Sequence, residues 1–254
     1  HALTGNHLTY GTSEQPGWWR GIIDGGYMPI NDYQFLTFNV IGSPFGSSSA
    51  LTDEDFPEQL TLRDIVRAIE LGIEHLGFER INILIGGSLG GMQAVELLYN
   101  RKFDVDKAVI LAATQRTSSY SRAFNEIARQ AIHLDYEQGM SIARQLGFLT
   151  YRSSKSYEQR FSPDQVVAYQ RHQGDKFMKH FSYSCYLTLL DVLDSHDVDR
   201  GRDDVDEVFS KLDTKMMTMG FADDLLYPDD LVYAVGQRFK YHKHFFVPDN
   251  VGHD

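Results

Sequence analysis

The 254-residue sequence predicts an α/β fold, a mostly parallel sheet with an inserted helical lid. Three observations carry that prediction. An apolar run, Ile81-Asn-Ile-Leu-Ile85, feeds straight into Gly86-Gly-Ser-Leu-Gly-Gly91 and then a helix-like segment, Met92 to Tyr99. Strand and helix patterns alternate up to residue 113 and resume from about residue 209. Residues 114–208 between them carry only helical periodicity. Alternation of this kind implies right-handed crossovers and parallel strands. The core is therefore expected over residues 1–113 and 209–254, with residues 114–208 as the lid.

Taken in order, residues 1–20 read as a polar, Gly-rich loop closed by the aromatic anchor Pro16-Gly-Trp-Trp19. Gln34–Val40 has the pattern of a strand, followed by a Gly/Ser/Pro loop over 42–49. Thr61–Leu76 is a helix, because Leu62, Ile65, Val66, Ile69, Ile73 and Leu76 fall on one stripe at 3.6-residue spacing. Thr61 with Asp64 forms a capping-box signature, and Gly77 stands where the helix should stop. The run at 81–85 is bounded by glycine and reads as a strand buried on both faces. Lys107–Ala113 reads as another buried strand. Helices are expected over 122–132, 137–146, 163–173 and 185–193, inserted at the strands' C-terminal edge, where open α/β sheets bind ligands. The core then returns with a strand at 215–220, a helix at 229–239 and a strand at 243–247.

A formal net charge of −11 argues against nucleic acid or an anionic membrane as the partner. Cys185 is the single cysteine, which precludes an internal disulfide and suits a reducing, cytoplasmic compartment. No apolar run reaches the ~18 residues of a membrane span, and no signal peptide is legible. Both ends read as interior sequence.

The chemistry starts at Ser88. Gly86-x-Ser88-x-Gly90 on a strand-to-helix turn is a nucleophile elbow, which lifts the hydroxyl above the sheet at a helix N-terminus. A serine needs a base, and the base an orienting acid, supplied later in the chain in the order Ser, Asp or Glu, His. His253 follows the last strand and Asp224 follows the one before it, so both face the edge that bears Ser88. Asp223 is a rival acid that spacing does not separate from Asp224. The remaining histidines read mostly as surface groups, among them His242 and His244. Leu89 supplies one oxyanion N–H as the residue after the nucleophile. Leu3, in the early Gly-containing stretch His1–Gly5, is the candidate for the second. The Asp194–Arg202 stretch reads as a structural or solvated acidic turn, with no metal expected.

The motifs His-Ala-Leu-Thr-Gly (1–5), Pro-Gly-Trp-Trp (16–19), Gly-Gly-Ser-Leu-Gly-Gly-Met-Gln (86–93), Ala-Phe-Asn-Glu (123–126), Leu-Thr-Tyr-Arg-Ser (149–153), Asp-Leu-Leu-Tyr-Pro (224–228) and Gly-His-Asp (252–254) occur in that order. Together they resemble the homoserine O-acetyltransferase family of α/β-hydrolase-fold acyltransferases, over nearly the whole chain. The resemblance implies transfer of an acetyl group from acetyl-CoA, as co-substrate and with no bound cofactor, to the hydroxyl of L-homoserine, a step of methionine synthesis. It implies that Ser88 is acetylated and favours Asp224, since the family's aspartate precedes x-Leu-(Phe/Tyr)-Pro. It places Arg152 against the substrate carboxylate and Asp254 against its ammonium, and Tyr186 in the acyl tunnel. It also implies a homodimer through the helical insertion, with further strands ahead of His1 and a further helix beyond Asp254. The sequence departs from the family at Gly42–Ser49 and Ser182–Tyr186, which leaves acetyl versus succinyl donor, and homoserine versus serine acceptor, open. An esterase with the same triad, and a non-catalytic binding module, are the alternatives.

Overall fold

The computed structural model describes residues 1–249, 252 and 253. Helix α1 (Arg20–Asp24) and helix α2 (Leu62–His75) precede the first strand, β1 (Arg80–Gly87). Helix α3 (Leu89–Asn100) and strand β2 (Asp104–Leu111) follow. Six helices then come in succession: α4 (Ser119–Leu134), α5 (Tyr136–Tyr151), α6 (Ser154–Arg160), α7 (Pro163–Met178), α8 (Tyr183–Asp194) and α9 (Val205–Lys211). Strand β3 (Lys215–Phe221), helix α10 (Asp229–Gln237) and strand β4 (Tyr241–Val247) complete the order.

The four strands form one parallel sheet in the order β1-β2-β3-β4. α3 packs on β1 and β2, α2 packs on α3, and α10 packs on β3 and β4. The apolar stripe anticipated for α2 is the buried one: Leu62, Ile65, Val66 and Ile73 face inward. Thr61 caps that helix reciprocally with Asp64, and Gly77 ends it at φ +77°.

Register explains why the loops that carry chemistry share one edge. Gly87 pairs with Leu111, Leu111 with Met219, and Phe221 with Val247. The ladder runs one step further, with Ser88 N–H on Leu111 O at 2.9 Å and Ala222 N–H on Val247 O at 2.9 Å. Residues just past β1, β3 and β4 therefore emerge along the same edge of the sheet, with the end of β2 between those of β1 and β3. Parallel strands enforce this, because all their C-terminal ends point one way.

Two expectations are corrected. Gln34–Val40 joins no ladder and takes no regular secondary structure. Side chains tether it instead: the His1 ring donates to Phe38 O at 3.0 Å, and Thr9 and Thr37 share a hydroxyl contact at 2.5 Å. A groove of about 400 Å³ runs between this segment and β1. β1 is consequently an edge strand, and Ile81, Ile83, Leu84 and Ile85 are half-buried where burial on both faces was expected. An apolar run reports that a strand is apolar; full burial also needs a layer over each face and a paired neighbour at each edge.

Candidate active site

The elbow is built from strain that glycine makes tolerable. Ser88 sits at φ 54°, ψ −123°, a conformation that costs a non-glycine residue about 1–3 kcal/mol. The tight turn presses strand onto helix: a Cβ on Gly86 would lie 2.2 Å from the Gly90 carbonyl oxygen. The result is a serine hydroxyl held off the end of β1, over the first turn of α3. Leu89 opens α3, so its backbone N–H has no intrahelical acceptor.

The other two groups arrive from neighbouring strand ends. His253 Nε2 lies 2.9 Å from Ser88 Oγ, and His253 Nδ1 lies 2.8 Å from Asp224 Oδ2. A carboxylate only accepts, so Nδ1–H donates to Asp224. Nε2 is then bare and accepts the Ser88 O–H. Asp224 has no freedom to do otherwise. Its side chain is fully buried, and Oδ1 accepts the N–H groups of Leu226 at 2.9 Å and Tyr227 at 3.0 Å. Asp223, the rival acid, is exposed and held at φ +61°. Burial and hydrogen bonding separate the two aspartates where spacing did not.

The acid's turn is in turn tied to the lid. Ser118 Oγ and Ser121 Oγ, at the N-terminus of α4, donate to Leu226 O at 3.1 and 3.0 Å. Tyr227 is buried, its hydroxyl pKa pushed up by that burial, and its ring centroid stands 5.3 Å from that of His253. The Tyr151 ring stands 6.0 Å away on the α5 side. Gly252 lets the histidine loop close onto the end of α5: a Cβ there would lie 2.7 Å from Ser153 N and 2.9 Å from the Arg152 carbonyl carbon.

A chamber of about 40 Å³ opens beside Ser88, with walls from α4, α5, α8 and the Leu226–Tyr227 turn. Leu3 and Tyr186 both line it. Tyr186 is almost fully buried, and desolvation raises its hydroxyl pKa. Arg152 is not in that wall; it caps α5 against the histidine loop. Asp254 lies outside the described residues.

The structure thus brings together Ser88, His253, Asp224, Leu3, Leu89 and Tyr186. Sequence reasoning gave no role to Tyr227, Tyr151 or the α4 residues Phe124 and Asn125, although each lies within a motif it had noted. A repeated apolar or aromatic position signals a helix or a turn, and says nothing of the cavity it faces. The histidines at 242 and 244 need correction too. They are half-buried and partnered, not free on the surface: both rings meet the buried Thr218 hydroxyl, at 2.9 and 2.8 Å, and His244 also contacts Asp229 at 3.0 Å. In the Asp194–Arg202 stretch, His196 is buried and donates from Nε2 to Thr114 O at 2.8 Å. Among the described residues, no group of three or more His, Cys, Asp or Glu side chains is arranged to hold a metal ion.

An elbow serine, a histidine and a buried aspartate on the C-terminal edge of a parallel sheet define the α/β-hydrolase class. A family profile described as alpha/beta hydrolase fold matches residues 1–254. The chain is 35% identical to a homoserine O-acetyltransferase of Thermus thermophilus, over 94% of this chain and 73% of that protein. It is 34% identical to one from Geotalea daltonii, over 100% of this chain and 81% of the relative. The crystal structure of homoserine O-acetyltransferase from Staphylococcus aureus superposes with a TM-score of 0.96 at 77% identity, covering 100% of this chain and 78% of that one. The chain belongs to the homoserine O-acetyltransferase family.

Proposed function

We propose that this protein transfers an acetyl group from acetyl-CoA to the side-chain hydroxyl of L-homoserine through an acetyl-Ser88 intermediate, in methionine synthesis. The observation that carries the reading is the hydrogen-bonded relay Ser88–His253–Asp224, at 2.9 and 2.8 Å, in a chain 77% identical to a solved homoserine O-acetyltransferase.

His253 Nε2 takes the Ser88 proton as Oγ attacks the thioester carbonyl carbon. The oxygen that becomes negative is met by the backbone N–H groups of Leu3 and Leu89. The C–S bond breaks, and the thiolate leaves with the proton from His253 as coenzyme A thiol. The homoserine hydroxyl then attacks the acetyl carbon, His253 takes its proton, and Ser88 Oγ leaves and regains one. Asp224 holds the imidazole in the Nδ1–H tautomer throughout.

Arg152 suits the homoserine carboxylate, because the end of α5 abuts the His253 loop. Asp254, next along that loop, is the proposed partner of the ammonium. Tyr186 belongs to the acyl side of the site. Exposed apolar residues on α4 and α5, among them Ile127, Leu134 and Ile142, support a homodimer through the helical insertion. Among the described residues no helix is long and apolar enough to cross a membrane. A cytoplasmic setting is inferred from the single, unpaired cysteine.

The test is free-thiol release from acetyl-CoA with and without L-homoserine. Release that requires homoserine supports transfer. Equal release in its absence points to thioester hydrolysis.

A further inference from the structure

Acetyl-CoA carries its acetyl group on a long neutral arm and its negative charge at the far, nucleotide end, on a diphosphate and a phosphate monoester. The chamber beside Ser88, at about 40 Å³, has no room for that end. The nucleotide must rest on the outer surface, and a chain with a net charge of −11 repels it over most of that surface. Residues 152–180 run the other way. Six Lys and Arg against three Asp and Glu give this stretch +3, so the rest of the chain carries −14. We propose that the exposed face of α7, with Arg160 at the end of α6, is the docking site for the phosphorylated nucleotide end of the acyl donor. The inference rests on the acyltransferase reading above and extends it to a surface outside the catalytic relay.

Position and free charge both support it. α7 backs the chamber: it packs on α5, where the Tyr169 and Phe148 ring centroids are 5.9 Å apart, and its Phe177 ring stands 5.5 Å from that of Tyr186 in the chamber wall. α6 is joined to α7 by Gln170 Nε2, which donates to Tyr157 Oη at 3.3 Å. Arg160 and Arg171 lie within one helical turn of that bond, and Lys176 is next to Phe177 in sequence. Arg160, Arg171, Lys176 and Lys179 are all exposed, and none forms an ion pair among the described residues. Arg63, Arg129, Arg202 and Arg238, by contrast, are each held by a carboxylate. Lys176 and Lys179, three residues apart on one helix, repel each other, and a polyanion relieves that repulsion. Arginine grips phosphate oxygens through paired N–H groups, and lysine meets them as a point charge. A second unpaired couple, Lys107 and Lys215 in register on β2 and β3, lies toward the N-terminal ends of the strands, away from Ser88. It offers the same charge in the wrong place.

The experiment measures KM for acetyl-CoA and for S-acetyl-N-acetylcysteamine, a donor with the same thioester and no phosphate, with L-homoserine as acceptor. It compares the wild type, the double variant Arg171→Gln/Lys176→Gln, and the control Lys107→Gln/Lys215→Gln, which loses the same charge. Arg171 and Lys176 are exposed and glutamine is a good helix former, so the double variant keeps the fold. It should raise KM for acetyl-CoA by about 10-fold, the size of two charge-assisted phosphate contacts at an exposed site. Its kcat, and its KM for the phosphate-free donor, should change little. The control should match the wild type with both donors. Added salt should raise KM for acetyl-CoA more in the wild type than in the double variant. Binding of adenosine 3′,5′-bisphosphate, read by calorimetry, should weaken in the double variant by the same factor as acetyl-CoA. A double variant with wild-type KM for acetyl-CoA, an equal rise for both donors, or an equal rise in the control each overturn the proposal. If the wild type turns over neither donor, the acyltransferase reading fails. The docking site then stands if the bisphosphate binds the wild type and binds the double variant more weakly, and falls if the two bind it alike or not at all.

Discussion

Replacing Asp224 with asparagine isolates the tautomer on which the relay depends. Oδ1 accepts two backbone N–H groups, from Leu226 and Tyr227, so the amide oxygen has to occupy that position. The amide nitrogen is then forced to the Oδ2 position, 2.8 Å from His253 Nδ1. Two donors cannot face each other, and the imidazole responds by shedding its Nδ1 proton and carrying it on Nε2. That N–H now points at Ser88 Oγ, 2.9 Å away, where a lone pair is needed. The base is lost while the shape survives. The expected cost is about 10⁴-fold in kcat, or about 5.4 kcal/mol of transition-state stabilisation. The assay is thiol release from acetyl-CoA with saturating L-homoserine, alongside thermal unfolding. Since both Oδ1 bonds remain, Tm should change little and KM for homoserine less than kcat. A variant with kcat within ten-fold of wild type would refute the reasoning, because it would mean that His253 does not act through the Nδ1–H tautomer.

Other expectations follow from the same geometry. Gly86→Ala puts a methyl 2.2 Å from the Gly90 carbonyl oxygen, and should lower stability by about 1–3 kcal/mol or more, read as a drop of several degrees in Tm; an unchanged Tm would show that strand and helix are not in contact at the elbow. Arg152→Gln should raise KM for L-homoserine by about 10–100-fold with a smaller change in kcat, the signature of a lost charge-assisted carboxylate bond; an unaltered KM would remove Arg152 from the acceptor site. His196 predicts a pH effect on stability. Burial lowers its pKa from 6.5 to about 4, and Nδ1 has no partner among the described residues. Below pH 6.5 the unfolded chain takes up a proton that the folded chain refuses, so the stability this residue contributes is present above that pH and lost as the pH falls toward 4. Going from pH 7 to pH 5 should cost about 2 kcal/mol in denaturant unfolding through this group, and His196→Gln should flatten that part of the profile. A variant as pH-sensitive as the wild type would place the acid lability elsewhere.

Much of this molecule was readable because its signals are local. The elbow is legible in Gly86-x-Ser88-x-Gly90 because steric crowding at one turn admits few other residues. The cap and stripe of α2 are legible because both repeat within a single helix. Position past a strand end was enough to bring His253 and Asp224 to Ser88, since parallel strands all deliver their C-terminal loops to one edge. What failed to read was non-local. Gln34–Val40 has a strand's composition, yet a strand exists only with a ladder partner, and composition does not reveal one. The half-burial of β1 has the same origin. The basic run around His242 and His244 points to the surface, while the partner that half-buries them, Thr218, is more than twenty residues distant in sequence. Asp223 and Asp224 are neighbours in sequence, and only the turn's hydrogen bonds tell the buried one from the exposed one. The chamber wall comes from α4, α5 and α8, each of which has an ordinary helical pattern on its own.

The most direct measurement is mass spectrometry of the protein mixed with acetyl-CoA in the absence of acceptor. The relay predicts the mass of one acetyl group on the peptide that contains Ser88, discharged when L-homoserine is added and absent from Ser88→Ala. Acetylation at a different residue, or steady turnover by Ser88→Ala, would contradict it.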